Sequence, residues 1–130
     1  MNAPRSTATV WVDDWQHECC GEPFALGQEV RWLLAPDDAG RQALLRPDDG
    51  VVVTHALDSH QAGDEQPART VIGRVALIRA IQLEYEGQRV RRSVPGSARL
   101  TVLAESDGPE PGWAGFAGYL VDLDVVAELA

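Results

Sequence analysis

The sequence contains no lysine and only two cysteines, and its charge is strongly unbalanced towards one sign. All 11 basic residues are arginine, against 20 acidic residues, which gives a formal net charge of −9. An acidic surface repels phosphate backbones and anionic membranes at long range. We therefore expect neither nucleic acid nor a membrane surface among the partners of this chain.

Long apolar runs are also missing. No stretch approaches the roughly 18 apolar residues that a membrane-spanning helix needs. Residues 1–9 hold one arginine and no apolar core, so they do not predict a signal peptide. The two cysteines, Cys19 and Cys20, are adjacent, which excludes a disulfide framework. We therefore expect a cytoplasmic protein whose thiols stay reduced.

The length of 130 residues suits one domain with one modest hydrophobic core. The composition is 45% hydrophobic and 24% charged, which is close to the average of globular proteins. Residues 1–6 are expected to form a disordered tail. The remaining residues, 7–130, are expected to form a single domain.

The chain alternates strand-like segments with turns rich in glycine and proline. Val30, Trp32 and Leu34 alternate with more polar neighbours, which is the period of a strand with one buried face. A loop is preferred over a helical turn for residues 40–46, and residues 126–130 are expected to end in a helical turn. Strands are predicted at residues 7–12, 29–34, 51–56, 70–86, 88–94, 99–104 and 116–126.

The longest strand signal covers residues 70–86. Its apolar residues of one parity are Val71, Val75, Leu77, Ile81, Leu83 and Tyr85. Gly73 and Arg79 interrupt this pattern, which predicts a bend or bulge at Gly73 and a register slip near Ile78. Strands that bend in this way close small barrels. The predicted fold is therefore all-β and mainly antiparallel, a small SH3-like or OB-like barrel of about six strands with long loops.

One segment, residues 15–32, carries the motif W-x(3)-C-C-G-x-P-F-x(2)-G-x(2)-V-x-W. Its fixed positions are Trp15, Cys19, Cys20, Gly21, Pro23, Phe24, Gly27, Val30 and Trp32. This motif resembles the opening of a family of small actinobacterial proteins, a domain of unknown function. The G-R-V-x-x-I element at residues 73–78 is similar to the second half of that family, and His60 lies where its members tend to carry histidine. The resemblance implies no activity.

Physically, the same motif describes the start of a barrel strand. Phe24 is expected to plug the end of the barrel, Gly27 to take a turn with positive φ, and Val30 to begin the buried face.

Five side chains are candidates for a metal site: His17, Cys19, Cys20, His55 and His60. Thiolate and imidazole groups bind zinc, and an ion would staple the long loop that holds the first three. Adjacent cysteines point in different directions, however, and structural zinc sites usually space paired ligands two to four residues apart. The preferred interpretation is that the cysteines fill a small buried site and a tight turn, without a cofactor. Zinc and a strained redox-active disulfide remain alternatives.

The only basic concentration is Arg89, Arg91 and Arg92 on a predicted hairpin. Two arginines on one face can grip a carboxylate or phosphate, and Arg79 and Arg99 are expected on neighbouring strands. The preferred interpretation is a solvated face that balances the charges of Glu84 and Glu86 across the hairpin, and an anion site is the alternative.

Trp113 lies in a loop rich in glycine and proline, where it is a candidate contact residue. Together with the three hairpin arginines it completes the predicted ligand-binding set.

Recognisable catalytic or nucleotide-binding motifs are missing from the sequence. The adjacent Asp13 and Asp14 are better explained as a solvated turn than as an acid/base pair. We therefore expect a non-enzymatic binding or accessory module for a protein partner or a small anionic ligand. A zinc-stapled structural domain and an enzyme of unrecognised type are the alternatives, and the sequence does not set an oligomeric state.

Overall fold

A computed structural model describes residues 6–13, 24–36, 40–57, 69–105 and 114–129. These residues form eight strands and two short 3₁₀ helices. The strands are β1 (Ser6–Asp13), β2 (Glu29–Pro36), β3 (His55–Leu57), β4 (Arg69–Gln82), β5 (Tyr85–Glu86), β6 (Arg92–Ser93), β7 (Arg99–Leu103) and β8 (Phe116–Leu129). The helices are Gln42–Leu44 and Pro47–Asp49.

Five of the strands close into a barrel. β8 is antiparallel to β1 on one side and to β4 on the other. The first half of β4 pairs with β2, β2 pairs with β3, and β3 returns to β1 through the single parallel pairing among the described strands. β7 pairs with the second half of β4, outside this ring. The prediction of a small, mainly antiparallel barrel is thus confirmed.

β4 contains the bend and the register slip that its sequence predicts. The pairing with β8 shifts at Gly73, where an added Cβ would lie 3.2 Å from the carbonyl oxygen of Asp124. It shifts again between Val75 and Leu77, which leaves Ala76 as an extra residue two positions before the expected slip at Ile78. An extra residue bends the strand and exchanges the faces on which later side chains lie.

This exchange of faces corrects one detail of the sequence prediction. Val71 and Val75 point into the barrel, but beyond the bulge the even-numbered Ile78 and Ala80 take that position. Ile81 and Leu83 therefore belong to a separate cluster outside the barrel, although they share the parity of Val71. Tyr85, predicted on the same face, is exposed.

The barrel interior is aromatic at one end. Phe24 packs edge-to-face on Trp32 and on Tyr119, with ring centroids 5.2 and 5.6 Å apart. Phe116 contacts Tyr119 in the same manner at 5.3 Å. These contacts confirm that Phe24 plugs the barrel, and Gly27 takes the expected positive φ of 82°. Edge-to-face aromatic pairs stabilise the fold by more than their buried apolar area alone would, so this end of the barrel is firmly packed.

A second apolar cluster packs against the outer face of the sheet. Its buried members are Trp11, Leu45, Val53, Ile81, Leu83, Ala98 and Leu120. Residues 40–46 are not the expected loop but contain a 3₁₀ turn, Gln42–Leu44, which covers this face. The N–H of Gly96 donates to the carbonyl of Ala43 and the N–H of Ala98 to that of Leu44, both at 3.0 Å, and these bonds hold the turn. The side chain of Gln42 ties the same segment to Val51 and Val53 at 2.9 and 2.7 Å. The barrel therefore has apolar packing on both sides of its central strands.

Four predicted strand boundaries are wrong. The strand expected at residues 70–86 ends at Gln82, with Tyr85–Glu86 as a separate strand, and the one expected at 88–94 is assigned only at Arg92–Ser93.

The third strand, expected at residues 51–56, is assigned only at His55–Leu57. Just before it, Thr54 is hydrogen-bonded to β1 through Thr9 alone. The chain end, expected as a helical turn, continues β8 to Leu129. The start of β4 offers backbone partners there, and Thr70 pairs with Leu129.

Candidate anion-binding groove

The arginine-rich segment forms the predicted hairpin. β5 pairs with β6 through Tyr85 opposite Ser93 and Glu86 opposite Arg92. Arg89, Arg91 and Arg92 are all exposed. The guanidinium carbon of Arg91 lies 5.8 Å from the centre of the Tyr85 ring, which is cation–π distance. This contact directs Arg91 along the base of the hairpin.

A groove of about 530 Å³ runs between this hairpin, the end of β4 and the start of β7. Arg91 lines the groove together with Arg99, which the sequence placed only on a neighbouring strand. Arg89 and Arg92 do not line it, and Trp113 lies outside the described residues. The full lining is Gln82, Leu83, Glu84, Tyr85, Arg91, Val94, Ser97, Arg99, Ala114 and Gly115.

The two arginines of the groove differ from the arginines of the chain that form ion pairs. Arg79 donates to both carboxylate oxygens of Asp122, at 3.0 and 3.2 Å, and Arg69 pairs with Glu128 at 3.2 Å. Within the described residues, Arg91 and Arg99 have no carboxylate within 4.0 Å. Their N–H donors are therefore open to an external anion. The guanidinium group of Arg79, expected nearby from sequence, is already paired with Asp122 of the barrel.

Ser97 adds a hydroxyl group to the groove. It is 9% exposed, the one buried polar side chain within the described ranges. Its Oγ accepts the backbone N–H of Glu84 at 3.0 Å. A serine hydroxyl both donates and accepts, and no acceptor for the proton of Ser97 lies in the described part of the chain. A ligand oxygen in the groove would satisfy this donor.

Backbone contacts fix the walls of the groove. The N–H of Leu83 donates to the carbonyl of Gly115 at 2.8 Å, and the amide of Gln82 donates to the carbonyl of Ala114 at 3.0 Å. On the hairpin side, the N–H of Val94 donates to the carbonyl of Glu84 at 2.8 Å. The positions of the lining residues therefore follow from the pairing of the strand ends, so the groove is formed before any ligand binds.

A second groove of about 420 Å³ lies on the other side of Tyr85, next to Trp11. Its charges neutralise one another, since Asp13 lies 3.6 Å from Arg41. Asp13 also accepts the indole N–H of Trp11 at 3.0 Å. Asp13 thus orders the end of β1, while Asp14 lies outside the described residues. The first groove is the better site for a charged ligand.

The predicted metal ligands are mostly untested. His17, Cys19, Cys20 and His60 lie outside the described residues, so the zinc site stays a prediction. The ranges that are described contain no group of three or more metal-ligating side chains. His55 lies on β3, with its Nδ1 2.7 Å from the hydroxyl oxygen of Thr54.

Burial lowers the pKa of His55 below its usual 6.5, although the charge of Glu128 opposes the shift. A histidine whose pKa is lowered by folding contributes stability at pH values above its unfolded pKa. This contribution is lost as the pH falls towards the folded pKa. We expect the stability of the wild type to decrease more than that of His55→Gln between about pH 7.5 and about pH 5. Urea unfolding at both pH values measures this, and equal losses would contradict the shift.

The fold defines the chain as a small closed β-barrel with an arginine-lined groove at one end. The DUF6578 family, a family of unknown function, matches residues 6–125. The chain therefore belongs to that family, which agrees with the expectation of an uncharacterised domain. No curated protein and no solved structure matches the chain. In the described part of the chain, no helix is long and apolar enough to cross a membrane.

Two features of the groove do not follow from the sequence. Glu84 is expected there only as a counter-charge of the hairpin, and no predicted site includes Ser97. The signal for Ser97 was its position directly after the Pro95-Gly96 turn, where a small polar residue precedes the buried Ala98.

Proposed function

We propose that this chain is a non-enzymatic binding module that holds a small anionic ligand in the groove between the hairpin and β7. One observation carries the proposal: Arg91 and Arg99 line the same groove with no carboxylate partner within the described residues. Guanidinium groups bind carboxylates and phosphates through charge-assisted hydrogen bonds, and Ser97 adds a neutral donor. We further propose that the module acts in the cytoplasm, which is supported by the adjacent cysteines and the missing disulfide framework.

A small ligand suits the groove better than a nucleic acid does. A volume of about 530 Å³ lies within the usual range of small-molecule sites. The net charge of −9 disfavours an extended polyanion, because only a local pair of arginines opposes the repulsion of the whole chain. Ligands with one or two anionic groups meet the arginines without spreading over the acidic surface.

Titration calorimetry at low ionic strength with glutarate, citrate and phosphate tests the proposal. We expect the wild type to bind at least one of these anions, with an affinity that falls as salt is added. Replacing either Arg91 or Arg99 by glutamine is expected to weaken binding about tenfold, since each change removes a charge-assisted bond.

Arg46→Gln is the matched control, because Arg46 is exposed and does not line the groove. This variant should bind like the wild type. Failure of all three anions to bind, or an undiminished affinity in the Arg91→Gln/Arg99→Gln double variant, would rule out the groove as an anion site.

A further inference from the structure

The groove contains one acidic side chain beside its two arginines. Glu84 is exposed and lines the groove, and its carboxylate has no ion pair or side-chain hydrogen bond within the described residues. Its backbone is fixed on both sides, by Ser97 Oγ at 3.0 Å and by the N–H of Val94 at 2.8 Å. The backbone of Glu84 is therefore a fixed part of the groove wall, from which its exposed side chain extends.

The charges of the groove set a condition on its ligand. Arg91 and Arg99 can bind two anionic groups, or one group that both share. The carboxylate of Glu84 repels a ligand that carries only negative charges. Like charges placed against each other reduce affinity and thereby exclude wrong ligands. A ligand that carries two carboxylates and one ammonium group matches all three charges and leaves none of them unpaired.

The uncharged part of the lining agrees with a short aliphatic ligand. Leu83 and Val94 contribute apolar surface to the groove. Methylene groups of a ligand can cover this surface, while its polar groups reach the arginines, Glu84 and the hydroxyl of Ser97. Such an arrangement of a few polar groups around an apolar lining is typical of specific small-molecule sites.

We propose that the groove selects amino dicarboxylates, the class of acidic α-amino acids, over dicarboxylates that lack the ammonium group. This inference rests on the proposed function and adds the identity of the ligand class to it. Arg91 and Arg99 bind the carboxylates, and Glu84 binds the ammonium group and repels ligands without one.

The test compares L-glutamate with glutarate, which has the same carbon chain and no ammonium group. Calorimetry on the wild type should give L-glutamate the higher affinity, by about three- to fivefold for an exposed ion pair. Glu84→Gln should abolish this preference and strengthen the binding of glutarate. Glu86→Gln should keep the preference, since Glu86 does not line the groove.

The outcomes separate the two proposals. If glutarate binds as tightly as L-glutamate and the binding depends on Arg91 and Arg99, the anion site stands and the selection by Glu84 is refuted. A preference for L-glutamate that persists unchanged in Glu84→Gln also refutes it. If neither compound binds the wild type while citrate or phosphate does, the anion site stands and the selection of amino dicarboxylates fails; if none of the four binds, both proposals fail.

Discussion

Leu120→Ala is expected to lower the free energy of unfolding by about 2–5 kcal/mol, as much as Leu123→Ala does. The two side chains lie on opposite faces of β8, yet each is 0% exposed. Leu123 packs inside the barrel and Leu120 in the outer cluster, so each truncation leaves a cavity in a packed region. Urea unfolding monitored by tryptophan fluorescence measures both values.

Val126→Ala is the matched control on the same strand, because Val126 is 62% exposed. Its effect should stay within about 0.5 kcal/mol. A Leu120→Ala variant that behaves like Val126→Ala would show that the outer cluster is not a second core. The consequence would reach the groove, since the same cluster contains Ala98 and so anchors the neighbouring Ser97.

Gly115→Ala is expected to destabilise the protein by about 3 kcal/mol or more, because it combines a clash with backbone strain. A Cβ at this position would lie 2.2 Å from the carbonyl oxygen of Leu83, and the residue has a φ of +73°. Relief of the clash would separate residue 115 from Leu83 and break the 2.8 Å hydrogen bond that forms one wall of the groove. Thermal or urea unfolding quantifies the loss.

Gly96→Ala separates the clash from the strain. Gly96 has nearly the same φ, +70°, but no atom lies within 4 Å of its would-be Cβ. This variant should lose only the cost of a left-handed residue, about 1–2 kcal/mol. Equal stability of the two glycine variants would contradict the close approach of the Leu83 carbonyl to residue 115.

The presence of β2, β4 and β8 could be predicted from sequence because each contains a clear alternation of apolar residues, whereas the three-residue β3 was misplaced. The bulge in β4 could also be expected, since Gly73 and Arg79 interrupt an apolar parity. Its consequence for Ile81 and Leu83 was harder to see, because a single extra residue reverses the faces of everything that follows. The structure was needed to place these two side chains outside the barrel.

The second core left a signal that periodicity alone does not resolve. Residues 10–12 and 119–121 are apolar at consecutive positions, which is typical of strands covered on both faces. What covers the outer face is a segment without regular alternation, whose first 3₁₀ turn, Gln42–Leu44, depends on tertiary hydrogen bonds from Gly96 and Ala98. Local sequence preferences do not encode such contacts.

The ligand-binding role of Arg91 stays a prediction, but its place on the hairpin could be expected because the hairpin concentrates positive charge on an acidic chain. Arg99 and Ser97 enter the groove through the pairing of Gln82 with Arg99 and through the turn before Ala98. These positions follow from tertiary register, so the spacing of residues in the sequence could not identify them.

The most direct measurement is a titration of the ¹⁵N-labelled protein with glutarate, followed by amide chemical shifts. We expect the changes in amide chemical shift to be concentrated at the groove, at Glu84, Arg91, Ser97, Arg99 and Gly115, and the 3₁₀ segment 42–49 to be unaffected. Shifts centred on that segment, or no shifts with glutarate, citrate or phosphate at millimolar concentration, would contradict an anion site between the hairpin and β7.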